Sequence, residues 1–208
     1  MKYRLTDETI ERNGFTLHRI QATKDFGDVK AGNLGGFIEN EKNLSHEGNA
    51  WVWDDAQVYG KAQVYDNAKV CGTARIYDNA VVRKEAEVSD DAWVFGNAEI
   101  YGDARVCGKA FVHDNARVYG DAKIYGNATV YGNARVFGKA WVYDEAWVYD
   151  EAWVYGNARV CAVAQVYGNA RVLDEANVYG GARVYGNARL CGYDEAYGNA
   201  EIDEDVRG

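Results

Sequence analysis

A chain of 208 residues has room for one domain or two small ones, and 48% hydrophobic residues are enough for a core. Its net charge of -9 argues against general affinity for nucleic acid or an anionic membrane, because a polyanion repels both. No stretch approaches the roughly 18 to 20 apolar residues of a membrane span.

Met1-Lys2-Tyr3-Arg4-Leu5-Thr6-Asp7-Glu8 lacks the apolar centre of a signal peptide, which predicts a cytoplasmic protein. The apolar alphabet is narrow, with 16 Tyr and 6 Trp but one Met and no Pro, as expected where each unit of a repeat solves one packing problem. Tyr3-Arg4-Leu5 and Phe15-Thr16-Leu17-His18-Arg19-Ile20, separated by Asn13-Gly14, read as a β-hairpin. We assign residues 1–35 to this hairpin and its connection, as a cap that shields a sheet end from polymerisation. Leu34, Ile38 and Leu44 fall in the six-residue register of the chain beyond them, so an irregular first coil is predicted to begin near Leu34, with His46 in an inward slot.

Residues 36–208 are predicted to be one β-solenoid with a regular core over 50–190. From Ala50 to Ala188 every sixth residue is alanine, 24 in unbroken register, and Val, Ile or Leu holds the position two residues after each. A helix would smear these positions around its circumference, and Gly with Asn or Asp in each unit would weaken it further. Strand alternation instead turns the aliphatic inward and its two neighbours outward. The Gly-Asn, Asp-Asn or Asp-Glu pair suits a corner where φ is positive, and alanine returns inward beside it.

Three hexads would close an 18-residue triangular coil, and two would close a flat 12-residue one. Of the 24 outward positions after the aliphatic, 16 are aromatic. Sorted by 18 they divide 7, 5 and 4, whereas sorted by 12 they divide 8 and 8, so only the triangle segregates them. Beyond 190 the pattern degrades, and Glu201, Asp203, Glu204 and Asp205 acidify a less regular closing coil over 191–208.

This hexad resembles that of the hexapeptide-repeat superfamily, which implies an all-β, left-handed parallel β-helix of about nine triangular coils. Lys2-Tyr3-Arg4-Leu5, Asp25 to Gly32, Gly35-Gly36-Phe37 and Asn43-Leu44-Ser45 are similar to the opening of YdcK-like bacterial and phage members. Acyltransferases share this fold, and usually need a histidine base beside an acceptor hydroxyl and loops that leave the coil. Here no loop leaves between Ala50 and Ala188, and His113 reads as one member of a stacked row between Phe95 and Tyr131. Other members are three-histidine zinc enzymes, but His46 and His113 lie almost four coils apart, roughly 18 Å at the strand spacing. No metal, cofactor or small-molecule substrate is predicted, and no enzymatic role.

Cys71, Cys107, Cys161 and Cys191 are too few and too distant for a disulfide framework, show no CxxC spacing, and read as reduced thiols. Six scattered threonines exclude an ice-binding ladder. Corner pairs such as Asp90-Asp91 and Asp114-Asn115 are read as solvent-facing turn formers rather than calcium ligands.

The remaining candidates are aromatic. One face stacks Tyr59, Tyr77, Phe95, His113, Tyr131, Tyr149, Tyr167 and Tyr185 beside Trp93, Phe111 and Trp147, a larger apolar strip than monomers usually expose. The segment Ala140–Tyr155 places Trp141, Trp147 and Trp153 on three sides of one coil. Arg117, Arg135, Arg171 and Arg189 form a column with Trp153 among them, a basic-aromatic strip able to hold a glycan or nucleic-acid strand, or simply arginine stacked on aromatic rings. The leading expectation is a structural or protein-interaction solenoid that self-associates or binds a protein partner through Trp and Tyr anchors. The alternatives are an acyltransferase-like enzyme with a site between subunits, and a phage-encoded binder of a host protein.

Overall fold

The computed structural model describes residues 1–205, and among these residues there is no α-helix, only a 3-10 turn over Glu41–Asn43. Strands β1 (Tyr3–Arg12), β2 (Phe15–Ala22) and β3 (Leu34–Ile38) are followed by 26 two-residue rungs, from Trp51–Val52 to Glu201–Ile202. The rungs fall into three sheets. Face 1 carries Val58, Ile76, Val94 and onward to Ile202; face 2 runs from Val52 to Ala196; face 3 runs from Val64 to Leu190.

Each rung pairs in parallel with the rung 18 residues away, so Val118 lies against Val136 and Val106 against Ile124. The coil is therefore a triangle of three hexads. Within a rung, Trp93 N–H donates to the Ala110 carbonyl at 2.9 Å and Phe95 N–H to that of Val112 at 3.0 Å, leaving Val94 free to point inward. Every alanine and aliphatic at the repeating inward positions from Ala50 to Leu190 is buried.

The first corner residue takes positive φ, as Gly120 does at 69° and Asp114 at 57°. A side chain wider than hydrogen at Gly156 would bring Cβ within 2.7 Å of the Asp174 amide nitrogen. Eight corner aspartates, from Asp54 to Asp174, occupy this conformation. Each carboxylate accepts the backbone N–H of the corner one coil on, at distances from 2.9 Å (Asp54 with Gly72) to 3.5 Å (Asp174 with Gly192). Turn formers expected to face water thus also tie coil to coil.

The start of the solenoid departs from the expected register. Ile38 pairs with Val58 and Leu44 bridges to Val64, both at a spacing of 20, while Trp51 pairs with Lys69 at 18. Ile38 and Leu44 thus occupy the aliphatic column rather than the alanine column, and two surplus residues bulge between Leu44 and Trp51. The bulge carries His46 out of the interior, where its ring stacks on Tyr3 at 4.3 Å and Nδ1 accepts from Lys2 N–H at 3.3 Å. Leu34 is 56% exposed and joins no core.

The hairpin closes this end. β1 pairs antiparallel with β2, which pairs antiparallel with β3, so face 1 continues into the cap. Tyr3 and Phe26 close over Trp51, whose outward slot becomes fully buried. Lys2 is buried beside them and donates to the carbonyls of Ala50 at 2.7 Å, Gly48 at 3.3 Å and Glu47 at 3.4 Å. The closing coil keeps register as far as Glu201–Ile202, which pairs with Arg183–Val184; residues 206–208 of the predicted acidic segment lie outside the described residues.

Packing and burial at these positions have measurable consequences. Ala134→Leu crowds a corner with no space to spare and is expected to lower stability by about 1–3 kcal/mol, read as a lower urea midpoint. Burial pulls the Lys2 ammonium down from 10.5 to about 8. Between about pH 8 and 10.5 the unfolded chain then holds a proton that the folded one has shed, so this residue's contribution to stability rises with pH. Lys2→Met is expected to lose that rise, so its stability deficit relative to wild type widens across this window in pH-resolved unfolding.

Candidate functional site

Wherever two rings follow each other in the position after the aliphatic, they stack one coil apart. On face 1 eight rings form one stack from Tyr59 to Tyr185, with Tyr77 to Phe95 at 4.9 Å and 3°, and Tyr149 to Tyr167 at 4.9 Å and 4°. His113 sits within it, 4.7 Å from Phe95 and 5.1 Å from Tyr131. Face 3 holds a second stack, Tyr101, Tyr119, Phe137 and Tyr155, at 4.8–4.9 Å and 1°. The rung spacing imposes this stacking. Burial pushes the Tyr77 and Tyr149 phenols up to about 12 and the Cys71 thiol up to about 11, so these groups stay protonated near neutral pH. The four cysteines are free.

The tryptophans of the three-sided girdle share a coil but not an environment. Trp141 on face 2 lies between Lys123 at 4.8 Å and Arg159 at 5.3 Å. Trp153 on face 3 lies between Arg135 at 4.9 Å and Arg171 at 5.0 Å. Trp147 on face 1 pairs instead with Thr129 and Gln165, has no cation above or below it, and is 46% exposed. Its one aromatic contact is edge-on to Tyr131 at 6.3 Å. Next to the Gln165 rung stands Val163, 53% exposed at a corner where other coils place a polar residue or glycine.

Trp93 and Phe111 stand in the same column as Trp147, 5.4 Å apart and half-buried, with Arg75 over Trp93 at 4.7 Å. Face 1 thus brings Trp93, Phe111, Tyr131, Trp147, Tyr149 and Tyr167 together, whereas Trp141 and Trp153 lie on the other two faces. Between Arg75 and Arg183 the outward rung positions of face 1 hold no Lys, Arg, Asp or Glu, a neutral strip on an acidic chain. Near its middle, His113 Nδ1 lies 3.3 Å from the Asp114 carboxylate, whose Oδ2 accepts the Gly132 N–H of the next coil. The repeat pattern places both residues, one as a stack member and the other as a corner.

The arginine column is continuous on face 3: Arg117 pairs with Arg135, Trp153 intervenes, and Arg171 pairs with Arg189. Beside it runs a ladder of corner amides that the repeat pattern alone does not single out, in which Asn115 donates to Asn133 at 3.1 Å and Asn169 to Asn187 at 3.3 Å. A small cleft of about 190 Å³ lies where the cap loop meets face 2, lined by Asp28, Asn49, Trp53, Asn67, Lys69 and Glu85 among others. Only the folding back of a segment outside the repeat creates it. Among the described residues no three His, Cys, Asp or Glu side chains converge to hold a metal ion.

Residues 122–132, 130–144 and 164–180 match the YdcK beta solenoid repeat. The resemblance drawn from the hexad is thus borne out, as is the triangular solenoid itself; the opening segments lie outside the matched residues. The protein named "Uncharacterized acetyltransferase YdcK" from Escherichia coli (strain K12) is 38% identical over 65 residues, which cover 27% of this chain. The matched part is about a fifth of that relative's length, 20%. This finding corrects the expectation that the chain has no enzymatic role, since the named relative points toward an enzyme. That expectation rested on the absence of loops leaving the coil and on His113 as a stack member, and His113 does stand in the stack; the relative's name alone overturns it.

The tryptophan environments predict unequal effects. Trp153→Ala removes two cation–π contacts and is expected to lower stability by about 1–2 kcal/mol beyond the loss of buried area. Trp147→Ala, with neither contact, should lower the thermal midpoint less; equal shifts would show that the cations contribute nothing.

Proposed function

We propose that the chain is a rigid solenoid that self-associates through face 1, two copies lying side by side along their neutral aromatic strips. The observation that carries this reading is Trp147, the one tryptophan of the three-sided girdle without a cation above or below it, exposed at 46% within a strip that lacks formal charge. Two chains of charge -9 repel broadly, so contact is cheapest where neither brings charge and each brings aromatic anchors. Five uncharged rungs, from Trp93 to Gln165, at about 4.8 Å make the strip about 24 Å long. At a width of about 15 Å this offers roughly 360 Å² per partner, the size of a weak, reversible contact rather than of an obligate interface. Sedimentation at micromolar concentration is expected to give a dimer, and Trp147→Asp a monomer. A monomeric wild-type chain would overturn the reading.

The named relative favours a second reading, acetyl transfer at the same face. His113 would take the proton of an acceptor hydroxyl or amine as it attacks the thioester carbonyl of an acetyl donor; the tetrahedral intermediate then expels the thiolate, which takes up that proton. Thiol release from acetyl-CoA in the presence of pooled sugar and amine acceptors measures this reaction. His113→Gln is expected to slow it by about 10²–10⁴-fold. A rate unchanged in the variant would eliminate His113 as the base.

A further inference from the structure

The geometry points to face 3 as a binding site for an acidic polysaccharide, a chain bearing a carboxylate or sulfate at regular intervals along a run of sugar rings. Arg117 and Arg135 are direct cross-strand partners, and so are Arg171 and Arg189. Like charges placed opposite one another across parallel rungs cost stability. The chain has carboxylates to spare, with 32 Asp and Glu against 23 Lys and Arg, and it uses one in this column to pair Glu99 with Arg117 at 3.5 Å. Among the described residues Arg135, Arg171 and Arg189 have no carboxylate partner. Three guanidinium groups are thus left unneutralised in one line.

Trp153 holds two of them in place. The Arg135 and Arg171 guanidinium groups lie over its ring at 4.9 and 5.0 Å, on the coils before and after it. A guanidinium edge fits a carboxylate or sulfate through two parallel hydrogen bonds. Two residues before Arg117, Arg135, Arg171 and Arg189 stand Asn115, Asn133, Asn169 and Asn187, whose amides are suited to hydroxyl groups. Cation and amide therefore repeat together on two rungs either side of Trp153, where Glu151 takes the place of the amide and accepts from Asn133 at 2.6 Å, and this doublet suits a ligand that itself repeats.

The same geometry disfavours a nucleic-acid strand. Single strands are held by stacking bases on open rings. Here the stack from Tyr101 to Tyr155 is closed at 4.8–4.9 Å and Trp153 is covered on both sides, so no ring face is left for a base.

Affinity electrophoresis and calorimetry at low salt test the site with four probes: polygalacturonate, heparin, poly-glutamate and a 20-nucleotide oligo-dT. Binding of polygalacturonate or heparin is expected, and which of the two binds tighter tells carboxylate from sulfate as the favoured anion. The double variant Arg135→Gln/Arg171→Gln should weaken that binding at least tenfold. Lys123→Gln/Arg159→Gln, which strips the same two contacts from Trp141 on face 2, should leave it within about twofold. Arg189→Gln is exposed and touches no ring, so it serves as a folded check, with an expected loss of roughly threefold. Absence of glycan binding would overturn the assignment, as would poly-glutamate or oligo-dT binding as tightly as the glycans, or equal losses on faces 2 and 3.

Discussion

The structure depends on one constraint: each coil must return after 18 residues so that backbone N–H groups meet the carbonyls of the next coil. Trp93 and Phe95 bond to Ala110 and Val112, and the same offset recurs along the regular body. No hexad buries its apolar side alone, so stability belongs to the stack and propagates through neighbouring coils. Valine fills the side, and alanine fits beside the corner because nothing larger does. Strand alternation then fixes which residues face out, whatever they are. A closed hydrogen-bond ladder with a repeating interior leaves the exterior free to vary.

That freedom is used in two ways. Some outward residues reinforce the stack: corner aspartates accept amides of the next coil, corner asparagines ladder along an edge, and rings overlap at the rung distance. Others are not needed by it. Trp147 and Val163 lie exposed where neighbouring coils place covered or polar groups, and Arg189 opposes another arginine without a carboxylate beside it. These departures from self-sufficiency separate a surface that only stabilises the coil from one suited to contact.

The cap shows how the rule is broken at an end. Two surplus residues before Trp51 would ruin the register if repeated, yet once, beneath the hairpin, they make room for Tyr3, Phe26 and Lys2 to close over the first rungs. The cap also generates the cleft between Asp28, Trp53 and Lys69, since a loop outside the repeat lies across face 2. The bare period misplaces His46 for this reason, and it gives no sign that Trp51 is covered. A periodic rule extrapolated past its last regular unit cannot register an insertion of two.

By itself the sequence determined the solenoid, its triangular section and the identity of each outward column. A side-chain period of two within a unit of six leaves no other way to bury Val and Ala together. It also named the face-1 aromatics, the three-sided tryptophans and the arginine column by position. The tertiary structure alone decided which of these were covered. Whether a tryptophan lies between cations or stands bare depends on residues 18 positions away in both directions. The three tryptophans have the same neighbours in sequence, Ala before and Val-Tyr after, and differ only in what the coils above and below place against them.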